Sequence, residues 1–161
     1  MLTIIMSLLI EHPEKYVRCA EDHAYCRLVM EEALRYCSPA TIPRITTKDI
    51  VYRGVTIPHG TTLFFPVSIA GRDPVSVPDP DSFAPERDKR ITHMAFGMGE
   101  HICLGQFIAR AQIQEGLHLI AQRLKMPRRT GPSAWRPFYG VWGMRGLPIA
   151  FTPADFSIAG D

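Results

Sequence analysis

The chain has 161 residues, enough for one domain with a core of its own. Apolar residues make up 46% and charged residues 21%, the balance of an ordinary globule. A net charge of +2, from 18 basic and 16 acidic residues, is too weak to point to nucleic acid or an acidic membrane surface.

Leu2 to Ile10 form an almost unbroken apolar run. It has no basic flank before it and no small-residue cleavage pattern after it, which argues against a secretory leader. It also falls short of the ~20 apolar residues that a membrane span needs, so a buried helix is expected. Pro13 suits the first turn of a second helix, with Glu14 near its positive end. From His23 a third helix is expected, with Leu28, Val29, Leu34 and Tyr36 on its apolar side, ended by Pro39. Cys19, Cys26 and Cys37 fall within these helical stretches, where a small buried thiol is the plain reading. The 4 cysteines contain no Cys-x-x-Cys pair and are too few for a disulfide scaffold, which fits a reducing, cytoplasmic compartment.

From residue 40 the texture turns to Thr, Val, Ile and Phe, with turn signals at Arg53-Gly54 and His59-Gly60. A hairpin followed by a further strand is expected there. "GRDPVSVPDPDSFAPERDKR" is dense in Pro and Asp and reads as an ordered meander. After Cys103 a long helix is expected, its stripe formed by Leu104, Phe107, Ile108, Ala111, Leu117, Ile120, Ala121 and Leu124. The tail "WRPFYGVWGMRGLPIAFTP" reads as two short strands with tight turns. The fold class expected from this order is predominantly α with a smaller β part.

The stretch "THMAFGMGEHICLGQFIAR" concentrates glycines, Phe96, His101 and a single thiol just before a helix. A dinucleotide loop fails on spacing, since a third glycine would have to stand at Ile102, and no Gly-Lys-Ser/Thr follows. A structural zinc site needs four ligands, and no second Cys/His pair accompanies His101 and Cys103. A nucleophilic cysteine activated by the helix start explains the thiolate but neither the glycines nor Phe96. An axial thiolate for haem iron uses them all. The glycines let the backbone approach a flat ring, loop N–H groups tune the sulfur, and the aromatic shields it.

Phe96 to Gly105, "FGMGEHICLG", resembles the haem-binding signature of the cytochrome P450 family of the bacterial type, and "CLGQFIAR" is similar to its camphor-hydroxylase branch. The resemblance implies that Cys103 is the iron ligand and catalytic centre, with Phe96 beside it. It also implies that His101 reaches a haem propionate and that Gly97, Gly99 and Gly105 permit close approach. Glu32 and Arg35 share a helix face, and by resemblance they form the family's Glu-x-x-Arg pair with Arg87 as third member. Arg44 matches a propionate-binding arginine, a role suited to guanidinium–carboxylate pairing; a surface arginine at a strand edge is the alternative. Thr41, Ile42, Val141 and Trp142 would border a small apolar organic substrate, and plain core is the alternative for them. Gln112 departs from the family, which often carries Glu there.

The resemblance covers residues 1–161 as the C-terminal haem-binding portion of one such domain, without the N-terminal and distal-pocket helices. Leu2 to Glu14 would be the tail of the helix that crosses the distal haem face. A whole enzyme of this kind implies haem b, molecular oxygen and two electrons from a ferredoxin-like or flavin partner. Arg110 is expected to meet an acidic partner or to stand solvated on its helix. A non-catalytic haem-binding or truncated fragment is the alternative function.

Overall fold

The computed structural model describes residues 1–87, 92–136 and 141–154. Three helices come first: α1 (Leu2–Ile10), α2 (Pro13–Glu21) and α3 (His23–Tyr36). Pro13 opens α2, as its missing N–H allows. Asp22 caps α3 by accepting the Tyr25 N–H at 3.1 Å. Cys37, expected inside this helix, stands at its C-cap and is half-buried, whereas Cys19 and Cys26 are buried free thiols.

The strands form four two-stranded antiparallel sheets among the described residues. β2 (Ile50–Tyr52) and β3 (Val55–Ile57) are the expected hairpin. Its turn residues Arg53 and Gly54 both have positive φ, 49° and 79°, the conformation that matches the twist of a tight hairpin. β4 (Thr62–Pro66) does not extend that hairpin. It pairs with β1 (Thr41–Ile45), so the hairpin is nested between the two partners. Buried Thr46 holds the nest shut, its hydroxyl donating to Pro58 O at 2.7 Å and accepting the Thr61 N–H at 2.9 Å. A single helical turn, α4 (Val67–Ala70), leads into the meander. The meander's residues 88–91 lie outside the described residues.

The long helix is α5 (Gln106–Arg123), followed by β5 (Leu124–Arg129), which pairs with β8 (Ile149–Pro153). β6 (Ala134–Trp135) pairs with β7 (Met144–Gly146). The tail therefore carries more strand than expected, and Leu124 begins a strand rather than ending the helical stripe. Residues 137–140 of the tail lie outside the described residues.

The core lies where α1, α2, α3 and α5 meet, around Ile5, Leu9, Val29, Met30 and Leu117. Tyr16 of α2 closes one end of it. Its hydroxyl donates to the Ile120 and Leu124 carbonyls at 3.2 and 2.6 Å, at the C-terminal end of α5. Burial there raises the Tyr16 hydroxyl to about 12.

The expected α5 stripe is only half correct. Leu117 and Ala121 are buried, joined by Ile113, but Ala111 is exposed, and Leu104, Phe107 and Ile108 are 96%, 76% and 65% exposed. The start of α5 touches α3 through its polar side, at Arg110 and Glu31, and its apolar side stays exposed. Leu117→Ala should accordingly lower the unfolding free energy by about 2–5 kcal/mol in a urea titration. Leu104→Ala should change it by less than about 0.5 kcal/mol.

Candidate functional site

The loop before α5 is built on its own backbone. Gly97 and Gly99 have φ of 75° and 73°, a region that side chains disfavour. The Gly97 N–H donates to Met94 O at 2.9 Å, and the Cys103 N–H closes the loop on Phe96 O at 2.8 Å. Gly99–His101 make one 3₁₀ turn inside it. Gly105 has φ of −81° and open space at its Cβ position, so nothing in this chain itself demands glycine there.

Cys103 is exposed, unlike the buried Cys19 and Cys26 and the half-buried Cys37. Burial also raises the Cys37 thiol above its ordinary range. Cys103 opens onto a cavity of about 620 Å³ that Phe96, Gly97, His101, Ile42 and Arg44 also line. β1 thus brings Ile42 and Arg44 to the cysteine loop from more than fifty positions away. The Arg44 guanidinium is exposed and spends one Nη1 donor on Pro43 O at 2.8 Å.

Of the four residues expected to border a substrate, Ile42 is among those lining this cavity. Thr41 does not line this cavity. Trp142 stacks on Trp135 with centroids 4.5 Å apart, and its N–H donates to Pro39 O at 2.6 Å. With Val141 it lines a separate hollow of about 240 Å³ against Met1 and Ile4. The segment between β6 and β7 thus places Val141 and Trp142 beside the start of α1.

A buried ion network joins α3 to the meander. Glu32 and Arg35, 7% and 1% exposed, pair through two contacts, Nε to Oε2 at 2.9 Å and Nη2 to Oε1 at 2.8 Å. Oε1 also accepts from Arg87 Nε at 3.0 Å and from the Ala84 N–H at 2.9 Å. The two guanidiniums spend their other donors on meander carbonyls. Arg35 reaches Gly71, Pro80 and Ser82 at 2.8, 2.8 and 2.9 Å. Arg87 reaches Pro78, Asp79 and Ser82 at 2.6, 2.8 and 2.6 Å. Gly71 lies so close that a Cβ there would sit 2.1 Å from the Arg35 carbonyl oxygen, which leaves room for glycine alone.

Arg110 is half-buried and pairs within the chain. Its Nε donates to Glu31 Oε1 at 2.7 Å and its Nη1 to Gln106 Oε1 at 2.8 Å. Its guanidinium carbon lies 4.5 Å from the centroid of the Phe96 ring. Glu31 also takes His93 Nε2 at 2.8 Å. Partial burial pushes the Glu31 carboxyl upward, but the hydrogen bonds and charges of His93 and Arg110 outweigh it and hold the group down at about 2. Sequence reading passed over Glu31 and His93. The signal available was only the doubled glutamate in "EEALRY" and a histidine three positions before Phe96.

A family model described as Cytochrome P450 matches residues 2–135. The chain belongs to the cytochrome P450 family. It is 34% identical to the luteothin monooxygenase of Streptomyces thioluteus over 95% of this chain and 38% of that protein. It is 32% identical to the biotin biosynthesis cytochrome P450 of Bacillus subtilis (strain 168) over 89% of this chain and 36% of the relative. Among solved structures it superposes on the substrate-free cytochrome P450 CYP150A6 of Mycobacterium marinum with a TM-score of 0.86 and 31% identity. That match covers 96% of this chain and 40% of the other. The chain therefore spans about two fifths of the length of such P450 relatives, and the shared architecture is α with a smaller β part.

The P450 family implies haem iron, and the residues present fit it. The cavity lies within the range of about 300–1,000 Å³ usual for cofactor and ligand sites. It offers an exposed thiol, an apolar wall, and Arg44 with His101 as partners for ring carboxylates. Among the described residues no helix is long and apolar enough to cross a membrane.

Glu32→Ala leaves two guanidiniums facing buried carbonyls without a counter-charge, and should cost about 3–5 kcal/mol of stability in denaturant unfolding.

Proposed function

We propose that residues 1–161 are the C-terminal haem-binding portion of a haem-thiolate monooxygenase, with haem b held through the sulfur of Cys103. The observation that carries this reading is the convergence of an exposed Cys103, Arg44 and His101 on one apolar cavity beneath a backbone-closed loop. When bound, thiolate-ligated haem supplies oxygen activation, in which sulfur donation favours O–O cleavage. The whole enzyme would insert one oxygen atom into a small apolar organic substrate, using molecular oxygen and two electrons from a ferredoxin-like or flavin partner.

The residues at the cavity then each have a part. Cys103 would hold the iron through its sulfur, and the loop keeps Cys103 at the cavity wall. Phe96, half-buried beside it, limits water at the sulfur. Gly97 presents backbone where a side chain would stand between protein and ring. Arg44 and His101 pair with the two classes of contact a propionate offers, charge and hydrogen bond. Ile42 supplies apolar wall, with Thr41 next to it on β1; Val141 and Trp142 take no part at this cavity.

A second reading is supported by the uncovered surface of α5. Leu104, Phe107 and Ile108 are 96%, 76% and 65% exposed, and the cysteine cavity is open. Water exclusion is part of what a protein contributes to such cofactor chemistry. The isolated chain is then a haem-binding portion with at best weak turnover, completed by segments like those of its longer relatives.

Absorption spectroscopy separates these readings from a haem-free thiol. The purified chain supplemented with haem, reduced and exposed to carbon monoxide, should show the strongly red-shifted Soret band of thiolate ligation. Cys103→Ala should abolish that band while leaving far-ultraviolet circular dichroism unchanged. A colourless wild-type chain would overturn the assignment.

A further inference from the structure

Two glutamates stand side by side on α3, and successive helical residues point about 100° apart. Glu32 turns to the meander. Glu31 turns the other way, to the cysteine loop and α5, and the role of that contact is not explained by the buried ion network. We propose that Glu31 is a positioning residue for the Cys103 sulfur, acting through His93 and Arg110 on the backbone and ring of residues 95 and 96. The inference rests on the reading of Cys103 as the haem ligand and adds the device that aims it.

One arm runs through His93, whose side chain is 6% exposed. Its Nδ1 accepts the Ala95 N–H at 3.2 Å, so that nitrogen carries no proton. Its Nε2–H therefore donates to Glu31 Oε2 at 2.8 Å. The imidazole is a rigid spacer that ties the loop backbone at Ala95 to Glu31 of α3, 62 positions before His93.

The other arm runs through Arg110. Its Nε is held by Glu31 Oε1 at 2.7 Å, and the flat guanidinium lies 4.5 Å from the Phe96 ring centroid. Gln106, at the first turn of α5, steadies it through Nη1 at 2.8 Å. Both arms end on adjacent residues, and Phe96 is the residue whose carbonyl accepts the Cys103 N–H at 2.8 Å. A carboxylate on α3 thereby fixes the peptide that fixes the sulfur. An exposed ion pair is worth little, but this one is part-buried at 33% and 26% exposure and has a nearly enclosed imidazole as third member.

The test uses the full 161-residue chain and measures amide hydrogen exchange residue by residue, with and without haem. In Glu31→Gln and Glu31→Ala the Ala95 and Cys103 amides should exchange at least tenfold faster, while Val29 and Leu117 amides keep their wild-type rates. Arg110→Lys, which leaves the His93 arm in place but removes the flat contact with Phe96, should accelerate Cys103 and not Ala95. In haem-loaded samples the same Glu31 variants should lower the fraction of the carbon-monoxide complex absorbing in the red-shifted thiolate band. Wild-type exchange rates at Ala95 and Cys103 in both Glu31 variants would overturn the proposal. So would equal acceleration of every amide in Glu31→Gln, which would make Glu31 a general stability residue. A wild-type chain without a thiolate band would instead retire the haem reading, and the exchange rates alone would then decide the positioning role.

Discussion

One buried carboxylate organises this chain. Glu32 carries a charge with almost no access to water, a situation that is costly unless every lone pair is used. Here both oxygens are bonded: Arg35 takes both, and Arg87 and the Ala84 N–H converge on Oε1. The guanidiniums in turn have donors to place, and they place them on backbone carbonyls from Gly71 to Ser82. A segment with no helix or strand of its own is thus wound around two cations. The carbonyls between Gly71 and Ser82 that these cations meet are thereby held to a fixed point on α3.

From that anchor the site is assembled by parts that share no sequence neighbourhood. The loop contributes Cys103 and its closed backbone. β1 contributes Ile42 and Arg44 through its pairing with β4. α5 leaves the loop and buries Ile113, Leu117 and Ala121 against α2 and α3, while its first turns stay apolar and uncovered. The same helix therefore belongs to a finished core at one end and presents an exposed apolar side at the other. That division matches a chain that spans about 38% of its first-named P450 relative.

Local chemistry made much of this legible in sequence. Pro13 and Pro39 bounded helices, and the apolar spacing of α3 and α5 showed their faces. The i, i+3 placement of Glu32 and Arg35 announced a shared side. The glycines around Cys103 announced a loop that must approach something closely. What stayed hidden were partners chosen over long distances. Arg110 meets Glu31 across 79 positions, and nothing local distinguishes it from a solvated helix arginine. The pairing of β1 with β4 around a nested hairpin, and the turn of Trp142 onto Trp135, depend on register that short runs of Thr, Val and Gly leave open. The full α5 stripe misled for a related reason. Periodicity identifies an apolar face but not whether this chain supplies its cover.

The central claim is that Cys103 places its sulfur on haem iron. X-ray absorption at the iron edge of the haem-loaded chain tests it most directly. The account predicts one sulfur scatterer in the first coordination shell, absent in Cys103→Ala and retained in Cys37→Ala. A first shell of nitrogen and oxygen alone, unchanged by removal of Cys103, would contradict it.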